Sequence, residues 1–420
     1  MKLMQDKKAC IARGESLSWL DAAGSPEWFY TLKPDVVPDQ IDVILITHPR
    51  SPADLTCFFP WADRLDEADQ DQLLRCLRPL LLEVVRIPGL TAGMMFLPVH
   101  AGDMLNPRRT PVARHILMNE AFPLATRFGA KVVCLGGLNG ALSRYGKRLL
   151  PLARGTGTEI TIGHSVTVVC VWETVLKALA ETGQHWRSRS VALIGMGGIG
   201  EGLLNLMALR GQWPGRLMLV DRPRQRGRME QLVRDMRIPA SCPVNIVEAP
   251  PGEALPFDHP AYSADVLVTA TSQANVIDID DVRPGTILVD DSQPHCWSRE
   301  AARKRVLERG DILPCDTGLV DCSALHWFSR FDFGFAGDEE ARTVAWSCLV
   351  EGLLKGLDPS LPCTLGHPDR TTLMAWDEAF HRCGLRPAPL QCGGLMLPVA
   401  AIREQFRVLD LRSGIAPPAG

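Results

Sequence analysis

The stretch that decides the fold is Val191-Ala-Leu-Ile-Gly-Met-Gly-Gly-Ile-Gly-Glu-Gly202, an apolar run that leads directly into a G-x-G-x-x-G pattern. In this pattern Gly195 permits a tight turn, Gly197 has no Cβ to hold a phosphate away from the backbone, and Gly200 lets the following helix lie close to the strand. The N–H groups at the start of that helix then face the phosphates. The stretch therefore predicts a strand, a turn and a helix that together bind a dinucleotide.

The next predicted strand carries the residues that distinguish the two nicotinamide cofactors. Arg216-Leu-Met-Leu-Val-Asp221 ends on a carboxylate about twenty residues after the glycines, where the adenosine ribose is expected. Asp221 suits the ribose hydroxyls of NAD, whereas Arg222 and Arg224, which follow directly, suit the 2′-phosphate of NADP. A solvated basic turn is the structural alternative for these arginines. We expect NADPH as the cofactor.

Strands and helices alternate along most of the chain, which predicts an α/β fold. Strands are predicted in the second half near 190–194, 216–221, 244–248, 265–270, 286–290 and 311–315. In the first half we predict strands at 42–47, 94–98 and 130–135 and helices at 66–85 and 111–128; further helices are predicted at 166–182 and 338–357. The predicted class is a Rossmann-type doubly wound parallel sheet with an N-terminal α/β substrate domain and C-terminal helices.

The same pattern predicts four segments. Residues 1–40 form an extension without clear periodicity, and residues 41–165 form an α/β domain that shapes the substrate site. Residues 166–335 form the dinucleotide-binding domain. Residues 336–420 form a helical segment that packs on the other domains.

Composition excludes several classes of protein. The chain has 420 residues, 46% hydrophobic and 22% charged, and its net charge of −3 is too small to indicate binding to nucleic acid. No stretch has the length and apolarity of a signal peptide or a membrane span, so we expect a cytoplasmic protein without stable membrane insertion. The thirteen cysteines include no C-x-x-C pair, so neither disulfides nor a metal site is expected. The apolar faces of the predicted helices suit packing against a second copy of the chain as well as packing in the core, so a homo-oligomer stays open.

Polar residues follow two further strands at the edge where the cofactor is expected. Thr271 and Ser272 end one strand and suit contact with the ribose or nicotinamide, although a structural turn explains them almost as well. Asp290 and Asp291 end the next strand, where they orient the substrate, cap the following turn, or both. The predicted cofactor-binding residues are Gly195, Gly197, Gly198, Ile199, Gly200, Asp221, Arg222, Arg224, Thr271 and Ser272.

Cys322 follows the last strand of this series, in a loop or helix start beside the expected nicotinamide pocket. A thiolate there can attack a thioester carbonyl and leave an acyl-enzyme that accepts hydride and releases an aldehyde. His326 lies four residues after Cys322, which places both side chains on the same face if the segment is a helix. Its imidazole suits proton transfer. Asp321 opposes thiolate formation unless a cation or helix N-terminus compensates. An inert buried cysteine is the alternative.

Over roughly residues 41–390 the chain resembles the long-chain acyl-[acyl-carrier-protein] reductases of cyanobacteria. The resemblance rests on Leu45-Ile-Thr-His-Pro49, Leu135-Gly-Gly137, Thr161-Ile-Gly-His-Ser-Val-Thr167, the glycine turn, Val289-Asp290 with Pro294, and Gly318-Leu-Val-Asp-Cys322. It implies NADPH-dependent reduction of an acyl thioester to an aldehyde, with Cys322 as the acylated residue and acyl carrier protein or acyl-CoA as partner. Thr161, Gly163, His164 and Asp290 are then expected at the substrate.

Two other functions remain open. A dehydrogenase of the hydroxyacid or shikimate type would transfer hydride directly, without a covalent step, and the Gly-Met-Gly-Gly-Ile-Gly turn suits it. The other is a nucleotide-binding homologue that has the same fold but catalyses no reaction. A covalent acyl-enzyme distinguishes the first function from both alternatives.

Overall fold

The computed structural model describes residues 40–329, 331, 333 and 343–412. The chain forms two compact units: the first takes residues up to 163 together with 322–366, and the second takes 164–321 together with the residues from 367 on. The predicted division differs, because it joined 322–335 to the dinucleotide domain and treated 336–420 as one helical segment. The predicted 1–40 extension falls almost entirely outside the described residues.

Strands of the described residues are numbered in chain order. They are β1 Val43–Thr47, β2 Leu80–Ile87, β3 Leu90–Phe96, β4 Val132–Leu135, β5 Glu159–Thr161, β6 Ser190–Ile194, β7 Arg216–Asp221, β8 Val244–Glu248, β9 Val266–Thr269, β10 Thr286–Asp290, β11 Ile312–Asp316, β12 Leu319–Asp321, β13 Val344–Trp346, β14 Arg386–Pro387, β15 Gln391–Cys392 and β16 Leu395–Met396.

The α-helices of the same residues are also numbered in chain order. They are α1 Leu55–Phe58, α2 Glu67–Cys76, α3 Ala101–Leu105, α4 Thr110–Ile116, α5 Phe122–Arg127, α6 Asn139–Leu142, α7 Leu150–Ala153, α8 His164–Thr182, α9 Gly198–Arg210, α10 Arg226–Asp235, α11 Arg299–Arg309, α12 Ser347–Leu357, α13 Arg370–Arg382 and α14 Val399–Arg412. A π-helical turn, Leu117–Ala121, joins α4 to α5. None of the described helices has the length and apolarity that a membrane span requires.

The second unit contains a six-stranded parallel sheet in the order β11-β10-β9-β6-β7-β8. The chain enters the sheet at β6, near its centre, and continues outward through β7 and β8. It then crosses to β9 on the other side of β6. This is the doubly wound order of the Rossmann fold, and the order reverses between β6 and β9. The predicted fold class is confirmed.

The first unit contains a five-stranded sheet in the order β2-β3-β1-β4-β5, parallel except for the β2–β3 hairpin. Helix α12 packs on this sheet through two glycines. A Cβ on Gly352 would lie 3.0 Å from Val43 Cγ1, and one on Gly356 would lie 2.6 Å from Val43 Cγ2. Larger side chains would hold the helix away from the sheet, so these glycines let residues 347–357 return to the first unit.

Two predicted helices are corrected. The helix predicted at 66–85 ends at Cys76, and β2 begins at Leu80, because the largely apolar segment that follows is mostly buried in the sheet, with Arg86 exposed. A short, largely apolar segment resembles a buried helix as closely as a buried strand. The helix predicted at 338–357 begins only at Ser347, after the strand Val344–Trp346, and residues 338–342 lie outside the described residues.

Candidate dinucleotide-binding site

The glycine turn of the second unit lies between β6 and α9, and its three glycines have separate roles. Gly195 has φ +97° and faces the backbone of Ala270, so a Cβ there would overlap the Ala270 carbonyl. A Cβ on Gly200 would overlap the carbonyl oxygen of Gly195. A Cβ on Gly197, in contrast, would have no protein atom within 4 Å. Two glycines therefore serve the fold, and the third leaves space beside the helix N-terminus.

Asp221, at the end of β7, holds the glycine turn in place. Its Oδ2 accepts a hydrogen bond of 2.7 Å from the Met196 N–H, and its Oδ1 accepts one of 2.7 Å from the Arg222 N–H. The carboxylate thereby links the two elements that would flank an adenosine ribose. Each oxygen retains a further lone pair and can accept a hydrogen bond from a ribose hydroxyl. That contact stays a prediction.

The arginines after β7 fall into two groups. Arg226 forms ion pairs of 3.1 Å with both Glu230 and Glu248, and Arg228 pairs with Glu201. The Arg222 guanidinium lies beside Asp221, with Nε 4.0 Å from Oδ1, and Arg224 is exposed. The structure thus ties Arg226 and Arg228 to carboxylates and leaves Arg222 and Arg224 as the candidates for a 2′-phosphate.

The double substitution Arg222→Ala with Arg224→Ala is expected to weaken NADPH binding much more than NADH binding. Each charge-assisted contact with the 2′-phosphate that is lost should cost about 1.5–3 kcal/mol. Arg226→Ala is the matched control, because its guanidinium is engaged by Glu230 and Glu248. Fluorescence titration with both cofactors provides the measurement; an equal loss for both would mean that the arginines form only a solvated turn.

Thr271 and Ser272 follow β9 at the edge where the strand order reverses. The Thr271 N–H donates to Ser292 Oγ at 3.0 Å, and Thr271 Oγ1 accepts from the Gln273 N–H at 2.8 Å. These bonds give Thr271 a structural place in the turn, while Ser272 is exposed. Contact of either residue with the cofactor stays a prediction.

Asp290 lies at the end of β10, and its side chain is fully buried. Its oxygens accept hydrogen bonds from Thr269 Oγ1 at 2.7 Å, from the Ser292 N–H at 2.9 Å and from the Cys296 N–H at 3.1 Å, and His295 Nδ1 lies at 3.2 Å. Burial alone would raise the pKa of Asp290, but His295 and these hydrogen bonds outweigh it and hold the pKa below its usual value.

This network gives Asp290 a structural role in the loop after β10, and its predicted contact with a substrate stays a prediction. The carboxylate fixes the loop after β10, and its oxygens are occupied by the protein. Asp291, the next residue, is partly exposed, and its backbone N–H donates to the Thr269 carbonyl at 2.9 Å. The surrounding protein and the neighbouring Asp290 charge raise the pKa of Asp291 well above its usual value. Asp290 therefore caps the turn, and the more exposed Asp291 stays a predicted substrate-orienting residue.

Thr161 and Gly163 belong to the first unit, where they surround a buried carboxylate. Thr161 Oγ1 donates to Glu351 Oε1, and the Gly163 N–H donates to the same oxygen at 3.1 Å. Glu351 lies in α12 and is completely buried. Sequence reasoning missed it, although an acidic residue within the largely apolar run before Lys355 was the available signal. The substrate contacts of Thr161 and Gly163 stay a prediction.

His164 is the first residue of α8, in the second unit. Burial, with a smaller contribution from His367, lowers the pKa of His164 to about 4. The imidazole is therefore neutral near pH 7. Its substrate contact stays a prediction.

Cys322 and His326 flank a single 3₁₀ turn, Ser323–Leu325, rather than occupying one α-helix. The Cys322 N–H donates to the Thr343 carbonyl at 2.9 Å, and the residue is fully buried. His326 is exposed and has a left-handed backbone with φ +55°. Because a 3₁₀ turn has three residues per turn, positions four apart do not share a face. The predicted helical pairing of the thiol and the imidazole is therefore wrong.

Comparison with known proteins finds distant structural likeness alone. No protein family and no curated protein sequence matches the chain. It is similar to L-tryptophan dehydrogenase from Nostoc punctiforme, with 10% identity, coverage of 90% of this chain and 91% of that chain, and a TM-score of 0.36. It is also similar to shikimate 5-dehydrogenase from Listeria monocytogenes, with 12% identity, coverage of 87% of this chain and 96% of that chain, and a TM-score of 0.29.

A third similar structure is that of a dipicolinate synthase chain from Bacillus halodurans, with 14% identity and a TM-score of 0.30. The match covers 46% of this chain and spans 61% of the length of the synthase chain. At such identities and TM-scores the likeness carries no conclusion about this chain.

Proposed function

We propose that the protein is an oxidoreductase that transfers hydride directly between a bound nicotinamide dinucleotide and a carbonyl or carbinol substrate. The observation that carries the proposal is the open space at Gly197, at the start of α9 and at the point where the strand order reverses. In open α/β sheets, ligands bind outside the carboxyl ends of the strands at this point. The N–H groups of the first turn of α9 suit a pyrophosphate there.

The proposal assigns roles to the residues around this edge. Met196 and Asp221 fix the turn that receives the pyrophosphate, and Arg222 lies beside the expected ribose. When bound, the nicotinamide ring supplies or accepts the hydride. Asp291 is the proposed proton donor to the carbonyl oxygen during reduction, because its raised pKa keeps the carboxyl group protonated well above the usual range.

Fluorescence titration of the full chain with NADPH and NADH tests the binding step. Hydride transfer is then tested with cofactor deuterated at C4 and a panel of 2-oxo acids and cyclic ketones, followed by mass analysis of the product. Binding together with deuterium in the product is the expected result. Failure to bind either cofactor would refute the proposal, and binding without transfer to any substrate would favour a nucleotide-binding protein without turnover.

Acyl-thioester reduction is the second candidate function, and it rests on Cys322. In favour of it, this cysteine directly follows the strand Leu319–Asp321, the position that the resemblance assigns to an acylated residue. The thiolate would attack the thioester carbonyl and expel the carrier thiol, and hydride would reduce the new thioester to an aldehyde and free Cys322 again. Burial of Cys322 and the exposed position of His326 favour direct transfer instead.

The substitution Cys322→Ser distinguishes the two candidates. Direct hydride transfer predicts near-normal turnover, because no step uses the thiol. The covalent route predicts a nearly complete loss of turnover with intact cofactor binding, because serine forms an alkoxide far less readily. Intact-protein mass spectrometry after mixing with an acyl-CoA, without reductant, adds a second measurement. A mass gain that survives in Cys322→Ser but disappears in Cys383→Ser would identify adventitious acylation of the more accessible Cys383.

A further inference from the structure

Three side chains of types that bind metal ions converge in the first unit, and none of them takes part in the proposed function. Asp71 lies in α2, His100 directly precedes α3, and Asp103 lies in the first turn of α3. His100 Nε2 is 3.5 Å from Asp71 Oδ1 and 3.8 Å from Asp103 Oδ1. The three side chains together offer one nitrogen and two oxygens within 4.8 Å of one another.

The second oxygen of each carboxylate is held by an arginine. Asp71 Oδ2 accepts from Arg75 Nε at 2.8 Å, with a second guanidinium nitrogen at 2.7 Å, and Asp103 Oδ2 accepts from Arg109 at 3.1 Å. These bonds fix both carboxylates so that their Oδ1 atoms face the imidazole. Such outer hydrogen bonds are the usual means by which proteins orient metal ligands.

Hydrogen bonds within the cluster do not satisfy the three atoms that face one another, His100 Nε2, Asp71 Oδ1 and Asp103 Oδ1. One imidazole nitrogen carries at most one proton, yet two carboxylate oxygens face His100 Nε2 at distances longer than a good hydrogen bond. Asp71 Oδ1 is shielded from solvent and has no hydrogen-bond partner. Ligands bound to tetrahedral zinc at about 2.0–2.2 Å lie roughly 3.3–3.6 Å from one another, close to the separations here.

Two similar groups in the second unit have carboxylates that are held by arginines or by the loop network, although Asp316 Oδ1, like Asp71 Oδ1, is shielded and has no hydrogen-bond partner. In the group of Glu173, Asp377 and His381, the Arg210 guanidinium pairs with both carboxylates, at 2.7 Å from Glu173. A cation there would compete with the arginine for the same oxygens. In the group of Asp290, His295 and Asp316, the Asp290 oxygens are taken up by the loop network and Asp316 pairs with Arg299 at 2.8 Å. These two groups are ion-pair and hydrogen-bond networks.

We propose that Asp71, His100 and Asp103 bind one Zn²⁺ ion. One imidazole and two carboxylates give three protein ligands whose charge of −2 balances that of Zn²⁺, with the fourth position open to water. The side chains are 28%, 16% and 15% exposed, so solvent and the ion reach the site. The ion would join α2 to α3, and the proposal does not depend on the proposed function.

Titration of the chelator-treated full chain with ZnCl₂, followed by calorimetry, tests the proposal. We expect one equivalent of Zn²⁺ to bind, and we expect His100→Ala to weaken binding by more than about 100-fold. Arg75→Gln is expected to weaken it less, within the ~10–100-fold typical of outer hydrogen-bond partners. His381→Ala, in the group occupied by Arg210, should leave binding unchanged.

Cobalt distinguishes this site from adventitious binding by the cysteines. Co²⁺ bound by nitrogen and oxygen gives weak d–d absorption without thiolate charge-transfer bands, and this absorption should disappear in His100→Ala and in the near-isosteric Asp103→Asn. Circular dichroism of the metal-free variants shows whether they fold. If the wild-type protein binds no Zn²⁺, if folded His100→Ala binds it equally, or if thiolate bands account for all bound Co²⁺, the proposal is overturned.

Discussion

Gly197→Val is expected to remove binding of both NADPH and NADH while the protein stays folded. A Cβ at this position meets no protein atom within 4 Å, so a side chain can start there without overlap and extend into the space where a pyrophosphate would approach the backbone. We expect affinity to fall by at least about 100-fold, which corresponds to about 2.7 kcal/mol. Nicotinamide fluorescence measures the affinity, and circular dichroism reports on the fold.

Two other glycines serve as controls for this result. Gly227 lies in α10, where a Cβ also has no neighbour within 4 Å, so Gly227→Ala should leave cofactor affinity unchanged. Gly200→Ala should instead destabilise the fold, because its Cβ would overlap the Gly195 carbonyl oxygen. Unchanged NADPH affinity in Gly197→Val would show that the pyrophosphate does not lie at this turn.

Asp291→Asn is expected to lower the rate of carbonyl reduction and to raise stability. If Asp291 donates the proton, its removal should slow reduction by about 10²–10⁴-fold, with little change in cofactor affinity. The surrounding protein and the adjacent Asp290 raise the native pKa of Asp291, so the native state binds this proton more tightly than the unfolded chain. Wild-type stability therefore falls as pH rises above about 4, whereas Asn does not ionise.

Asp290→Asn is the matched comparison and should have the opposite effect on stability. The native pKa of Asp290 is lowered, so its contribution is present above the unfolded pKa of about 4 and is lost as pH falls through the native value. An asparagine would direct an NH₂ group toward N–H donors, at a cost of about 1.5–3 kcal/mol. Thermal unfolding between about pH 5 and 8 measures both variants; a destabilised Asp291→Asn or a stabilised Asp290→Asn would contradict these assignments.

The sequence by itself determined the parallel sheet of the second unit, because the signals for these strands are local. The glycine turn specifies a backbone conformation that few other residues adopt, and buried parallel strands appear as short apolar runs. The strands at 190–194, 216–221, 244–248 and 286–290 therefore have the predicted bounds, and those at 265–270 and 311–315 differ by one or two residues. Their alternation with helices was enough to indicate the Rossmann order.

Tertiary structure alone decided the features that depend on residues distant in the chain. Nothing near Glu351 in sequence indicates that it meets Thr161 and Gly163, and the return of α12 to the first sheet depends on the fit of Gly352 and Gly356 against other strands. Asp290 and Asp291 have the same side chain and are adjacent. Hydrogen-bond donors from Thr269, Ser292 and Cys296 meet at Asp290, and this arrangement of the folded chain fixes Asp290 in the loop.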